Sequence, residues 1–570
     1  MKKLLFFFKG LIISLSLIIS PNLFSQGILG GKVTGNFQMD VQVSKEDSVI
    51  GAEKVNEKIL NNAFGNILYT NGDFSAGMRF ESYLNPILGF DPEYKGAGIA
   101  YRFASYKKDN FEFTLGNFYE QFGNGLIFRS YEERNLGLDN AMDGIRVIAR
   151  PIEGITLKAV IGKQRKYWEK IWESDNYGLI RGIDAEVSLN SIIKPMQTKA
   201  LQLSFGGSFV SVYQKASPKY ITSTDGSLYI MKIPENIGSA ATRFNLNYKK
   251  WNLNAEYAYK GQDPNAVNGY IYAPGNALYL SGGYSQKGLG ISLSAKRIDN
   301  MSFKSNRDET GNMLNVNYLP SLTRQHAYSL FAMYPYATQV NGEMGLALDI
   351  MYKIKKDTWL GGKYGTDVKL NVSRVNSINK DYVTPISTGS YQGTIGYESN
   401  LLSLGDDIYF QEINLELGKK VNKDLKLNLM YSHQTFNPIA FGHDGDEFVY
   451  ANIFALDATQ KLGKNSLRGE LQWLLTEQNY GDWAKGDWLQ ATLEYNIKGN
   501  WFVALTDQWN YGNKYEEKVH YYNLACGYNK GTNRVSLSYG KQRAGIICIG
   551  GVCRPVPASN GLFMTITSSF

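Results

Sequence analysis

Proline is scarce, histidine scarcer and cysteine nearly missing, with 15, 4 and 3 residues in a chain of 570. Few prolines leave long stretches free to donate backbone hydrogen bonds, as the interior of a sheet requires. The histidines stand apart from one another, which argues against a clustered imidazole metal centre. No Gly-x-Ser-x-Gly elbow, metalloprotease helix or phosphate loop is present. The chain therefore reads as a non-enzyme with no cofactor and no metal. Beyond the first 25 residues no apolar run approaches the ~20 residues of a membrane helix. There is also no run of five basic residues. The net charge of +8 falls to +5 without Lys2, Lys3 and Lys9. So small an excess gives no case for nucleic acid as a partner.

What is abundant is glycine (58), tyrosine (39) and phenylalanine (28), at a mean hydropathy of −0.29. A helical membrane protein would be far more apolar. A transmembrane barrel averages to mild polarity, because lipid-facing and lumen-facing residues alternate. The N-terminus reads as an export signal. Lys2 and Lys3 precede an apolar stretch, Leu4–Ser20, that Pro21 breaks, and small Ser25 marks the expected cleavage site. The alternative, a retained membrane helix, is disfavoured because the run is too short. The expected division is a signal peptide over 1–25 and a barrel over 26–570.

Period-2 alternation runs the length of the chain. In Trp251–Lys260, residues Trp251, Leu253, Ala255, Tyr257 and Tyr259 share one face, with Asn252, Asn254, Glu256, Ala258 and Lys260 opposite. Leu425–His433 and Leu467–Thr476 repeat the pattern, as does Trp501–Tyr511 with Asp507 as its one violation. A soluble sandwich would alternate too. Strands of about ten residues match a tilted membrane strand instead, and Tyr and Trp near the strand ends suit interfacial girdles.

Loop lengths alternate as well. Short turns are expected at Asn71–Asp73, Lys107–Asn110, Pro151–Gly154, Lys249-Lys250, Lys287-Gly288, Lys355–Asp357, Lys420–Asp424, Gly463–Asn465, Lys498–Asn500 and Lys530–Asn533. Ser191–Gln197 and Pro320–Arg324 are looser candidates. Longer polar stretches, such as 45–62, 213–240, 261–275, 374–404 and 435–448, lie between them. Short periplasmic turns and long external loops are the habit of such barrels. Twelve turns and two termini at one end imply an all-β chain: a single antiparallel transmembrane β-barrel of about 26 strands (range roughly 22–26) with no plug domain. In the last ten residues Leu562, Met564, Ile566 and Phe570 share a face and Phe570 ends the chain. This resembles the C-terminal signal read by the barrel-insertion machinery. Lysines recurring in the short turns could touch inner-leaflet phosphates, but solvated turn residues are the preferred reading.

The densest polar stretch is Gly116–Arg146, with Glu120, Arg129, Glu132, Glu133, Arg134, Asp139, Asp143 and Arg146. It is expected to form a charge network in the lumen or on a loop, structural in preference to selective. Tyr119–Gly123, Gly125–Ile127, Arg129, Tyr131-Glu132, Arg134, Leu136-Gly137 and Asp139-Asn140 resemble the signature of an uncharacterised outer-membrane barrel family of Bacteroidota. Cys548–Arg554 with Val556–Ala558 is similar to that family's last loop. The resemblance spans the mature chain and implies a barrel, but no activity.

The cysteine pair brackets two glycines, so a Cys548–Cys553 bridge is expected in an exported chain, with Cys526 unpaired and facing lipid. His443–Glu447 could hold a cation, although a solvated loop is preferred. Two classes of function remain. One is an accessory subunit of a multiprotein outer-membrane assembly or secretion machine, with other outer-membrane or periplasmic proteins as partners. The other is a porin-like channel for small polar solutes. Outer-membrane lipids surround the chain in both.

Overall fold

The computed structural model describes residues 30–387, 389–442, 448–476, 486–514 and 517–570. The expected signal peptide and the acidic cluster His443–Glu447 fall outside the described residues. A single sheet of 24 antiparallel strands carries the fold. Each strand pairs with its neighbour in this sheet along the chain. The first, Lys32–Lys45, also pairs with the last, Ser559–Ser569, from Asn36↔Ser569 to Lys45↔Asn560. That pairing closes a barrel. A closed barrel leaves no edge whose N–H and C=O groups would meet hydrocarbon unpaired.

Side-chain period decides which way each residue faces. In the strand Trp251–Lys260 the apolar set points out, and Glu256, Ala258 and Lys260 are buried on the inside. In Asn465–Thr476, Leu471 and Trp473 point out while Gln472 and Leu474 point in. The outer wall is studded with exposed Leu115, Ile183, Leu293, Leu346 and Leu505, as a lipid-facing surface requires. At the short-turn end, Trp251 packs on Tyr284 at 4.6 Å and Trp501 on Tyr528 at 4.4 Å, beginning an aromatic girdle. Cys526 is free and exposed on this outer wall, as expected.

The first strand begins and the last strand ends at the short-turn end, which leaves eleven turns there and twelve loops opposite among the described residues. Eleven of the twelve expected turns are found. The tightest include Lys249-Lys250, where Lys249 takes a left-handed φ of 54° to reverse the chain in two residues. The exception is Pro320–Arg324. It lies within the 300–342 connection, between the strands Leu289–Asp299 and Glu343–Ile354, and turns no hairpin. Counting it as a turn accounts for 26 expected strands against 24 observed.

The C-terminal strand presents Leu562, Met564 and Ile566 opposite Val43, Val41 and Met39 on the outward face. Phe570 exchanges backbone hydrogen bonds with Gly35 at 3.0 Å in both directions. Its ring lies where a Cβ on Gly35 would sit, 2.5 Å away. A glycine is what lets the terminal phenyl seat against the first strand.

Candidate functional site: the luminal plug and its cap

Two loops turn inward from the long-loop end and fill much of the lumen: 119–141 and 300–342. Their apolar residues explain why. Phe122, Leu126, Ile127 and Phe128 of the first loop and Met301, Phe303 and Val316 of the second are 0–1% exposed. They pack against Val160, Ile180, Val210 and Ile298 on the inner wall. Further along, Leu330, Phe331, Tyr334 and Tyr336 pack on Val375, Phe410, Ile453 and Leu474, a second arc of wall. Each large side chain withdrawn from water contributes about 1.5–3 kcal/mol. A run of them holds the loops in place.

The loops are also joined by backbone. Arg129 N–H donates to Val316 C=O at 2.8 Å, and Tyr318 N–H to Gly125 C=O at 2.9 Å. Met301 N–H donates to Val340 C=O at 2.8 Å and draws the ends of the longer loop together. Polar wall residues then meet the backbone that the plug leaves open. Leu330 N–H donates to Gln472 Oε1 at 2.9 Å, and Gln434 Nε2 donates to Phe331 C=O at 2.9 Å. Arg324 pairs with Glu416 at 2.7 Å, and His326 Nε2 lies 2.7 Å from Glu412. On the other arc, Asn124 donates from backbone and side chain to Glu256 at 2.7 and 2.8 Å. Lys296 and Glu343, both 0% exposed, pair at 2.5 Å where the plug rejoins the wall.

The expected charge network divides in two. Asp139 is the hub of the first part. It is buried between Arg79 of the wall and Arg165, which lies 2.5 Å away. Arg165 also forks onto both oxygens of Glu81 at 3.0 and 2.7 Å. Glu132 bridges Arg79 at 3.0 Å and Arg134 at 2.7 Å. Burial alone would push the Asp139 carboxyl up. The Arg165 and Arg79 guanidiniums, helped by the Ala141 N–H and the Tyr119 hydroxyl, hold it below the usual carboxylate range. In the second part Glu120 accepts from Lys158 at 2.8 Å and pairs at 3.3 Å with Arg146, which also pairs with Glu112.

Arg129 and Asp143 belong to neither part. Arg129 is sandwiched by Tyr131 and Tyr318, its guanidinium 4.3 and 4.0 Å from their centroids. Asp143 lies on the outer wall, 3.5 Å from Arg102 and 3.2 Å from the indole N–H of Trp172. The sequence reading missed Arg79, Glu81 and Arg165. They lie on other strands and loops, and nothing in their spacing points to Asp139. It also missed the 300–342 segment as a plug, although two signals were there. Period 2 stops after Asp299 and resumes at Glu343, and so long a connection rich in Phe, Leu and Tyr is seldom mere loop.

Above the plug sits a small hairpin, Gly545–Ile549 paired with Val552–Val556. Cys548 and Cys553 face each other across it and are disulfide-bonded. Gly550 and Gly551 make the turn with φ of 59° and 86°, a left-handed pair that favours glycine. They also touch the plug. A Cβ on Gly550 would lie 2.2 Å from the Tyr318 hydroxyl, and one on Gly551 as close to Thr338. Tyr318 donates to Gly550 C=O at 3.0 Å, and Thr338 N–H donates to Gly551 C=O at 3.0 Å. Arg554 reaches Asn135 C=O at 2.9 Å and lies 4.7 Å over the Phe90 ring. The hairpin therefore caps both plugging loops, and the two signature segments, hundreds of residues apart in sequence, meet in one structure.

The chain belongs to the DUF6029 family. This family is of unknown function, and its model matches residues 1–570. No curated protein matches the chain. Similar solved structures include the translocation pore of the P pilus usher PapC, at 8% identity and TM-score 0.38 over 94% of this chain and 99% of that one. The outer membrane transporter YddB from Escherichia coli matches at 8% identity and TM-score 0.38, covering 94% and 81%. OpdL of Pseudomonas aeruginosa matches at 9% identity and TM-score 0.32, covering 95% and 100%. At these values the likeness is one of general shape and carries no function.

One arc of the inner wall beside the plug is polar. Thr492, Thr506, Asn523, Ser536, Ser538 and Thr565 face inward there and are half-buried. Thr492 and Thr506 share a hydrogen bond at 3.1 Å across their strands. Among the described residues no three His, Cys, Asp or Glu side chains converge as a metal site. His326, His433 and His520 are each engaged with a different neighbour.

Proposed function

We propose that this protein is an integral outer-membrane barrel that closes its own lumen. On this reading it works as an accessory subunit of a multiprotein outer-membrane assembly or secretion machine. The observation that carries the reading is the plug, anchored to two arcs of wall by fully buried side chains and capped by the disulfide hairpin. A plug held this way suits a barrel that acts through its loops and turns more than through free diffusion across its lumen. It also removes one ground for expecting a partner, because the lumen needs no foreign filling. The support for partners is the extent of the long loops on one side.

The second reading is a channel for small polar solutes. The half-buried arc of Thr, Ser and Asn favours it, since a polar wall is what such a path requires. Mild-detergent extraction followed by affinity purification separates the two. The machine reading expects stoichiometric outer-membrane or periplasmic companions. A barrel recovered alone that conducts ions steadily in planar bilayers would overturn it.

A further inference from the structure

A cavity of about 270 Å³ opens at the long-loop end, between the 261–274, 300–342 and 379–403 connections. It is walled by Tyr382, Tyr391 and Tyr397, with Asn341, Lys380 and Ser390 around them. The loops that form it are sewn together. Tyr272 N–H donates to Thr394 C=O at 2.8 Å, and Gly393 N–H to Tyr270 C=O at 3.1 Å. Tyr382 stacks on Tyr391 with centroids 4.9 Å apart, and the Tyr397 hydroxyl is fixed on Asp299 at 2.7 Å. These contacts join the walls to one another.

One charged group at this cavity lacks an ion-pair partner. The Asn341 amide is fixed in the wall by donating to Val267 C=O at 2.8 Å. Lys380 Nζ lies 4.4 Å over the Tyr397 ring, with no carboxylate in ion-pair range among the described residues. Burial pushes its ammonium below the usual lysine range. Flat aromatic faces suit the C–H face of a pyranose ring. A lone ammonium takes a carboxylate. The volume admits one ring and little more.

We propose that this cavity binds a single acidic monosaccharide unit, of the hexuronate class. Its ring lies on the Tyr382–Tyr391 wall and its carboxylate meets Lys380. The site shares the 300–342 loop with the plug but does not depend on the role proposed above.

The test is saturation-transfer NMR and calorimetry on the full-length chain in detergent, with glucuronate and glucose as probes. Glucuronate should bind more tightly than glucose. Lys380→Met and Tyr391→Ala should each weaken it about tenfold, the loss of one charge contact or one aromatic face. Each variant is first checked for the heat-dependent gel mobility of a folded barrel. Tyr391→Phe keeps the ring and should keep the binding. Glucuronate that fails to bind, binds no better than glucose, or binds equally to the folded Lys380→Met variant would overturn the proposal.

Discussion

Asp139 is the residue on which the plug's charges turn. Removing its carboxylate leaves Arg79 and Arg165 buried beside one another, with only Glu81 and Glu132 to compensate. Breaking a buried pair from one side costs about 3–5 kcal/mol. Asp139→Asn should therefore lower the temperature at which the barrel loses its compact gel mobility. The same carboxyl sets a pH limit. Its folded-state pKa lies below the ordinary 3.8, so its contribution is complete above that value and is lost as pH falls through the lower one. Protease resistance of the plug should hold from neutral pH down to about 4 and fail below it. Cys526 tests the other face: in intact membranes it should react with a lipid-partitioning maleimide and resist a water-soluble one. Single-residue direction was legible wherever period 2 held. Asp507, the one violation in its strand, points outward as the alternation says, and pairs with His520 at 2.7 Å beside Trp509. The Asp139 partners were not legible, because strand pairing joins residues that no sequence spacing relates.

Among the elements, the cap and the closing strand carry the clearest consequences. Replacing Cys548 and Cys553 by serine should leave barrel formation intact but expose the plug, seen as faster cleavage within 300–342 by an added protease. Gly550→Val should do the same with the disulfide present, since its side chain would collide with Tyr318. At the seam, Gly35→Val should displace the Phe570 ring and reduce the yield of assembled barrel, as should deletion of Phe570 itself. A normal yield from both would show that the terminal phenyl is not part of an assembly signal. The hairpin was legible from Cys-Ile-Gly-Gly-Val-Cys alone, because few conformations join cysteines across two glycines. What it rests upon was not, for the contacts are to Tyr318 and Thr338 in a segment without periodicity.

For the whole molecule, closure, handed-out faces and loop asymmetry followed from local rules repeated along the chain. The closure of the lumen did not. The expectation of no plug domain concerned a separate domain, whereas the plug is two internal loops. The lost periodicity and the Phe, Leu and Tyr of 300–342 mark an unusual loop, but not which way it turns. That is decided by the wall it meets, here by Gln434, Gln472, Glu256 and the apolar inner faces beside them. The central claim is that these loops seal the barrel. Planar-bilayer recording of the purified chain tests it most directly, against a variant in which residues 303–339 are replaced by a short Gly-Ser linker. The intact chain should be electrically silent and the variant should show large, steady conductance. Equal conductance in both, or an open intact chain, would contradict the account.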